Sequence, residues 1–332
     1  MNFLKFFISR TITFFLVIFI GMTAVFFLPR FMPSDPVEDM LNQITANAGG
    51  MSLEEIEAMR SVLMENFGLT GTLYEQYFAF MRRALFTFDF GPSLSMFPAS
   101  VIEVIARALP WTMGLLLTAT IIAWVLGNIV GLLAGFRKDK LSSKILESIS
   151  IFVYPLPYYL LAIILIMLFA HIWPIFPLTT TVIGTPWTWP FIQRVLFVSV
   201  LPALSLIIID LGWWVLSMKT ISTGVAEEDY VSFAKIKGVS SNKIVWNYIL
   251  PNSMLPQMTM LSLRIGTVFS GAIVAEIIFG YPGLGTLIYQ SVLRADYNMI
   301  MGTLSVCILA VAFATYVIDL LYPFLDPRVR YQ

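Results

Sequence analysis

The chain has 332 residues with 20 basic and 20 acidic side chains, so its formal net charge is zero. Hydrophobic residues make up 58% and charged residues only 12%, whereas soluble globular domains have about 45–50% and about 25%. This composition excludes an ordinary soluble domain. No nucleic-acid partner is expected.

Six long apolar runs follow one another along the chain. Each is close to the roughly 20 residues that an α-helix needs to cross a bilayer, and backbone groups in hydrocarbon must bond within their own segment. We therefore predict an all-α polytopic protein with six transmembrane helices in contact with membrane lipid. The runs are Thr11–Leu28, Leu109–Phe136, Ile145–Ala170, Val195–Met218, Met258–Phe279 and Met299–Tyr322.

The distribution of basic residues predicts the orientation in the membrane. With the N-terminus inside, the short inner segments hold twelve of the 20 basic residues, the longer outer segments hold seven, and Arg264 lies within a span. Positive-inside bias then places both termini in the cytoplasm, as six spans require. The predicted parts are the N-terminus with the first span (1–32), an extracytoplasmic helical loop domain (33–106), a five-helix core with a cytoplasmic loop at 219–257 (107–322) and a cytoplasmic tail (323–332).

The long outer loop contains helix-start signals. Ser52-x-x-Glu55 and Thr72-x-x-Glu75 are capping boxes, Ser100 with Glu103 three residues later begins a third helix, and Gly68 can end the first. The loop is either a small cap on the membrane surface or a docking surface for an extracellular partner.

The cytoplasmic loop at 219–257 predicts a short helix, a sharp turn and a second helix. Acidic residues up to Asp229 suit a helix N-terminus, Gly238 suits the left-handed residue that ends the helix, and Val239 can make the accompanying apolar contact. Ser240 or Ser241 can cap the second helix, which Pro251 is expected to end. Tyr230, Phe233, Ala234 and Lys237 fall at positions i, i+3, i+4 and i+7 of the first helix.

Two interpretations of this short helix remain open on the residue pattern. Aromatic side chains such as Tyr230 and Phe233 on a cytoplasmic loop suit a helix laid in the groove of another protein. A helix that lies flat on lipid headgroups has a similar pattern.

The loop resembles the coupling loop of ATP-binding-cassette importer permeases, whose motif is Glu-Ala-Ala, three residues, Gly, nine residues and Ile-x-Leu-Pro. Here Ser232–Ala234, Gly238 and Tyr248–Pro251 occupy those positions, without the Glu and with Tyr for the Ile. The dipeptide/oligopeptide/nickel branch of that family reads Asp-Tyr-(Val/Ile)-Arg-Thr-Ala-x-Ala-Lys-Gly, and Asp229–Gly238 of this chain reads DYVSFAKIKG.

Further motifs of the same branch occur in order along the chain. Five short segments resemble them on the same topology, and the long first outer loop is similar to that of the B-type permease of the branch. The segments are PSDP (33–36), DFGPS (89–93), EIIFGYPGLG (276–285), Asp296-Tyr297 and LDPRVR (325–330).

The resemblance implies a permease subunit of an ATP-driven, binding-protein-dependent importer, most often of di- or oligopeptides. It implies a sister permease, two cytoplasmic ATPase subunits and an extracellular or periplasmic binding protein. The ATPase-coupling residues would be Asp229, Tyr230, Phe233, Ala234, Lys237, Gly238 and Val239. Two such permeases would enclose one pathway that ATP binding opens outward and hydrolysis resets inward.

No enzyme chemistry is expected of this chain. It lacks the Gly-x-x-x-x-Gly-Lys-(Ser/Thr) phosphate loop, so ATP and Mg²⁺ are expected to act in the partner subunits and no cofactor to be bound here. The single cysteine and single histidine provide no metal-spaced cluster, and we find no catalytic Ser/His/Asp arrangement.

Charged residues inside spans predict either an ion pair or contact with cargo. Asp210 in span four and Arg264 in span five lie at similar depths, so we expect them to pair or to face one aqueous lumen. Glu276, near the outer end of span five, has the same ambiguity.

Two alternatives to a peptide importer remain. Similar permeases carry oligosaccharides or nickel complexes, and nothing in the spans selects the cargo. A secondary transporter would need inverted repeats and an ion relay, which the sequence does not display.

Overall fold

The computed structural model describes residues 3–31, 36–48, 52–178, 180, 182, 188–268 and 273–325. Within these ranges all regular elements are helices, apart from one isolated bridge between Pro92 and Ser100, which confirms the all-α class. The helices are α1 (Phe3–Phe27), α2 (Pro36–Ala48), α3 (Leu53–Asn66), α4 (Leu73–Arg82), α5 (Val101–Phe136), α6 (Leu141–Val153), α7 (Tyr158–Ile166), α8 (Trp189–Ala226), α9 (Asp229–Ile236), α10 (Ser241–Ile244), α11 (Leu250–Val268), α12 (Ile273–Phe279), α13 (Leu284–Leu293) and α14 (Tyr297–Leu325).

Four helices in the described part of the chain are long and apolar enough to cross a membrane, namely α1, α5, α8 and α14. The bent pair of α6 and the segment 158–172 is a fifth candidate. The predicted fifth run, Met258–Phe279, is divided between α11 and α12, and residues 269–272 lie outside the described ranges. Helix length therefore supports a polytopic protein without confirming the count of six spans.

The prediction of one continuous helix over Ile145–Ala170 is wrong. The chain bends by 97° between α6 and α7. Pro155 and Pro157 lie in this break and have no backbone N–H to donate to the preceding turn. Pro157 also restricts Leu156 to extended conformations, which ends a helix.

Contacts divide the chain into two compact units. The long unit consists of Met1–Arg10, Met113–Tyr281 and Ala314–Gln332, and the short unit consists of Thr11–Thr112 and Pro282–Phe313. These units differ from the four parts predicted from the spans, and that division stays a prediction. Its boundary at residue 106 falls inside α5.

A glycine stripe on α5 packs against α8 in the long unit. A Cβ atom at Gly131 would lie 2.6 Å from the carbonyl oxygen of Val215, and one at Gly135 would lie 2.0 Å from Oγ of Ser222. Gly127, one turn earlier, is equally close to α8. Small residues four apart let helix backbones approach closely in membranes, so this interface requires glycine.

The short unit confirms both predicted capping boxes. The hydroxyls of Ser52 and Thr72 accept from the backbone N–H groups of Glu55 and Glu75, whose carboxylates accept in return from the capping residues' N–H groups at 2.8 and 2.7 Å. These backbone hydrogen bonds lower the pKa of both glutamates. Gly68 has φ +64° and ends α3 as predicted.

The core of the short unit is formed by α1, α4, α5, α13 and α14. Met22, Phe26, Ile105, Leu284 and Met299 are almost fully buried there. Helix α2, which the sequence did not predict, packs on α3 through Val37 and Leu41.

Candidate functional site

Helix α9 ends where the sequence predicted. Gly238 has φ +75°, and its N–H donates to the carbonyl of Lys235 at 3.0 Å, while the N–H of Val239 donates to that of Ala234 at 3.1 Å. This pair of bonds is the Schellman motif. Val239 also packs in the same apolar cluster as Ala234, so the predicted terminator and its apolar contact are confirmed.

One face of α9 anchors the helix to the long unit. Val231 and Ala234 are buried in a cluster with Met218, Ile244 and Ile249. Although Ala234 falls at helical spacing with Tyr230 and Phe233, it faces the bundle. The reason is that Val231, three residues earlier, places the apolar face of this short helix toward the bundle.

The opposite face of α9 is exposed and apolar. We define the α9 stripe as Tyr230, Phe233, Ile236 and Lys237; Phe233 is 57% exposed and Ile236 83% exposed. Lys237 Nζ lies 4.6 Å from the centroid of the Phe233 ring. Ile236 is not among the predicted coupling residues, although its spacing of three residues from Phe233 was a signal. A fixed helix with exposed aromatic and aliphatic side chains suits docking into a groove.

A surface ion pair holds the beginning of this segment. Lys138, in the turn after α5, donates to the carboxylate of Glu227, which follows α8. This hydrogen bond lowers the pKa of Glu227 and raises the pKa of Lys138. Both groups therefore stay charged across the neutral range, and the pair links the α5–α6 turn to the start of α9.

The second helix of the loop differs from the prediction. Pro251 does not end it, because α10 continues through a π-helical turn (Val245–Ile249) into α11. A π-helical turn is wider than an α-helical one, and here it ends two residues before Pro251. In a regular α-helix, the ring of a proline clashes with the carbonyl four residues earlier.

Asp210 and Arg264, which were expected either to pair or to face one aqueous lumen, form an ion pair. Nη2 of Arg264 donates to the two carboxylate oxygens of Asp210 at 2.8 and 3.1 Å. The pair lines a cavity of about 460 Å³ between α8, α11 and the end of α6. The side chains are 52% exposed for Arg264 and 22% exposed for Asp210.

The remaining walls of this cavity are mostly apolar and were not predicted. They are formed by Tyr154, Ile209, Trp213, Trp214, Met260 and Leu263. The two tryptophans were a signal for this cavity. Tryptophans in membrane proteins favour the interface, but Trp213 and Trp214 lie within a span and close to the charged Asp210. Glu276 is fully buried in α12 and is not among the cavity's wall residues.

Two further ion pairs in the long unit were also missed. Nζ of Lys219 lies 2.5 Å from the carboxylate of Glu147, and the Lys219 side chain is only 10% exposed. Arg10 of α1 lies 3.3 Å from Asp319 of α14. Such partners lie too far apart in sequence for any local pattern to join them.

A buried carboxylate joins two of the resemblance motifs in the short unit. Oδ2 of Asp296 accepts from Ser93 Oγ at 2.6 Å and from the backbone N–H and Oγ of Ser95 at 3.0 and 2.9 Å. Its Oδ1 accepts from the N–H of Met299 at 3.1 Å and so caps α14. Asp296 is fully buried. The motifs PSDP and LDPRVR lie mainly outside the described residues.

Replacing Asp296 with Asn should destabilise the short unit by about 1.5–3 kcal/mol, because an amide N–H₂ placed toward the Ser93 and Ser95 donors loses charge-assisted hydrogen bonds. Thermal unfolding of the purified protein in detergent measures this effect. Glu54→Gln, an exposed carboxylate in the same unit, is the control and should change stability by less than about 0.5 kcal/mol. Equal melting temperatures of the two variants would contradict the stabilising role of the Asp296 carboxylate.

Comparison with known proteins decides the family. Residues 127–331 match the model of a family described as "Binding-protein-dependent transport system inner membrane component". The chain belongs to this family. The match covers α9, the cavity residues Asp210 and Arg264, and most of the long unit.

Relatives extend the similarity over nearly the whole chain. The dipeptide transport system permease protein DppB of Bacillus subtilis is 30% identical over 82% of this chain and 85% of its own length. The di/tripeptide transport system permease protein DppB of Pseudomonas aeruginosa is 28% identical over 92% of each chain. The oligopeptide transport system permease protein OppB of Haemophilus influenzae is 30% identical over 80% and 83%.

Membership in this family defines the kind of subunit that the chain is. As an inner membrane component of a binding-protein-dependent transport system, it is a multi-pass permease subunit of an ATP-binding-cassette importer. ATP hydrolysis belongs to separate subunits, and a substrate-binding protein is part of such a system. Within the described ranges, no group of three His, Cys, Asp or Glu side chains is arranged to hold a metal ion.

Proposed function

We propose that this permease imports di- and oligopeptides and that the α9 stripe couples it to a cytoplasmic ATPase. The observation that carries the coupling is a short helix that is anchored through Val231 and Ala234 and exposes Phe233 and Ile236. The relatives support the cargo, since their names include dipeptide, di/tripeptide and oligopeptide transport.

The proposed assembly contains a sister permease, two ATPase subunits and an extracellular or periplasmic binding protein. Each permease rests its coupling helix on one ATPase. ATP and Mg²⁺ are used by the ATPases, and this chain binds neither of them. Asp229 at the start of α9 and Gly238 at its end fix the helix, while Tyr230, Phe233, Ile236 and Lys237 supply its contact surface.

Both termini are proposed to lie in the cytoplasm. The contact between Arg10 and Asp319 supports this, because it brings the beginning of the first membrane helix beside the end of the last. Ends on the same side require an even number of spans. The pair of Lys138 with Glu227 places the basic α5–α6 turn on the side of α9, in agreement with positive-inside bias.

The proposed mechanism is alternating access. Closure of the ATPases on ATP moves the anchored α9, and the cluster of Val231, Ala234 and Met218 transmits that movement to α8. Packed helices have discrete arrangements rather than continuous ones. The pathway then opens outward to receive cargo and returns inward after hydrolysis.

Uptake measurements in cells or vesicles that contain the whole importer test this function. A strain that lacks this chain should lose ATP-dependent uptake of a labelled dipeptide, and the wild-type chain should restore it. Gly238→Arg should reduce the restored uptake several-fold, because an L residue at φ +75° is strained by about 1–2 kcal/mol and tilts the end of α9.

Gly224→Arg is the matched control for this substitution. Both glycines have open space where a Cβ would be placed, but only Gly238 has a positive φ. Gly224→Arg should therefore retain uptake. Wild-type uptake by Gly238→Arg would contradict the proposed coupling role of α9. Import of an oligosaccharide or a nickel complex instead of a peptide would contradict the proposal that the cargo is a peptide.

A further inference from the structure

On the basis of the proposed function, we infer that the Asp210–Arg264 pair is an exchangeable site for the two charged ends of a zwitterionic peptide in transit. During passage, the peptide's ammonium group binds Asp210 and its carboxylate binds Arg264. When no peptide is present, the two side chains neutralise each other.

The surroundings of the pair distinguish it from a structural ion pair. Asp210 and Arg264 line a cavity and keep 22% and 52% of their side-chain surface exposed. The pair of Lys219 with Glu147 in the same unit is different, since neither residue lines the cavity and Lys219 is only 10% exposed beside the glycine stripe, although Glu147 is 43% exposed. A cargo group can reach the first pair without unpacking the helices.

Charge balance explains why a pair suits transport better than a single charge. A lone charge in the pathway would attract ions of one sign and hold them tightly. With one acidic and one basic group, the site is neutral both before and after a zwitterion enters. The peptide must compete with the pair's own attraction, so binding stays weak enough for release, as conduction through a membrane protein requires.

The walls of the cavity suit cargo with variable side chains. Trp213 and Tyr154 provide aromatic surface, and Met260 provides a flexible and polarizable one. Adaptable apolar surfaces of this kind accept many partners. The volume of about 460 Å³ lies within the range of about 300–1,000 Å³ for small-ligand sites.

The pair must open when both ends of a peptide bind. A chain of n residues spans at most about 3.3–3.6 Å × n, so the ends of an extended dipeptide lie farther apart than the 2.8 Å contact between Arg264 and Asp210. The long Arg264 side chain supplies the required movement. Asp210 and Arg264 are therefore expected to select different ends of the cargo.

The test uses the complete importer in proteoliposomes with three probes: alanyl-phenylalanine, its N-acetyl derivative and its C-terminal amide. Asp210→Asn should lower kcat/KM for the free dipeptide about tenfold relative to the N-acetyl peptide, which has no ammonium group to lose. Arg264→Gln should lower it similarly relative to the amide. For each variant, the ratio of kcat/KM for the free peptide to kcat/KM for the blocked peptide is divided by the same ratio for the wild-type importer. The preference of the binding protein for one peptide over the other is the same in both and therefore cancels.

Glu147→Gln is the control, since it disrupts the structural pair and should affect all three peptides equally. If the binding protein excludes a blocked peptide, equilibrium dialysis against the detergent-purified membrane complex gives the corresponding ratio of dissociation constants for the free and the blocked peptide. Equal losses for all three peptides in Asp210→Asn and Arg264→Gln would overturn the inference and leave a structural pair. A wild-type importer that carries no peptide would instead overturn the proposed function.

Discussion

Replacing Gly131 with Leu should prevent the long unit from folding. A Cβ at this position lies 2.6 Å from the carbonyl oxygen of Val215, which is a backbone atom and cannot rotate away. The α5 and α8 backbones would have to separate along the whole glycine stripe. We expect a loss of more than about 3 kcal/mol, at the upper end of overpacking costs, and the measurement is the amount of intact protein in the membrane.

Gly114→Leu is the matched control on the same helix. Gly114 has no atom within 4 Å of the position of an added Cβ, so this variant should reach wild-type levels. Gly131→Ala should give an intermediate loss of about 1–3 kcal/mol, measured as a lower melting temperature in detergent. Similar levels of Gly131→Leu and Gly114→Leu would show that the close approach of α5 and α8 is not required.

The double variant Phe233→Glu, Ile236→Glu should fold normally and lose ATP-driven uptake by about tenfold or more. Both side chains are mostly exposed, so their replacement by charged residues leaves the anchor at Val231 and Ala234 intact. Loss of one apolar anchor from an interface costs about 2 kcal/mol or more. Uptake, together with the yield of ATPase subunit in a pull-down through this chain, measures the effect.

Lys235→Glu provides the control for added negative charge, since it changes the net charge by two units, as the double variant does. Lys235 is exposed on α9 but lies outside the α9 stripe, so this variant should keep both uptake and the ATPase. A double variant that retains uptake and the bound ATPase would contradict the role of the stripe. A double variant that is absent from the membrane would show instead that the stripe supports folding.

Local features of the chain were predictable because their causes lie within a few residues. The capping boxes at Ser52 and Thr72 need only an acceptor and a Glu three residues later. The left-handed conformation at Gly238 follows from the lack of a side chain at the end of an apolar repeat. For the same reason the end of α9 could be located before any contact was known.

Other features needed the packed structure. The sequence predicted one apolar spacing on α9, but it could not tell which positions face the bundle. Val231 and Ala234 turn inward because Met218 and Ile249 provide the apolar surface that covers them. The bend of 97° before α7 did have a local signal, namely Pro155 and Pro157. The prediction of one continuous helix relied on hydropathy, and apolar content does not measure backbone hydrogen bonding.

The amino-acid sequence by itself determined that the chain is helical, lies in a membrane, belongs to the importer permeases and carries a short helix that ends at Gly238. These properties depend on hydropathy, on backbone conformation and on motifs that are continuous along the chain. Only the tertiary structure decided the partners of Asp296, the tight contact of Gly131 with α8 and the aromatic walls around Asp210 and Arg264. Each of these joins residues from distant segments, and the free energy of such contacts depends on shape and distance, which no local pattern contains.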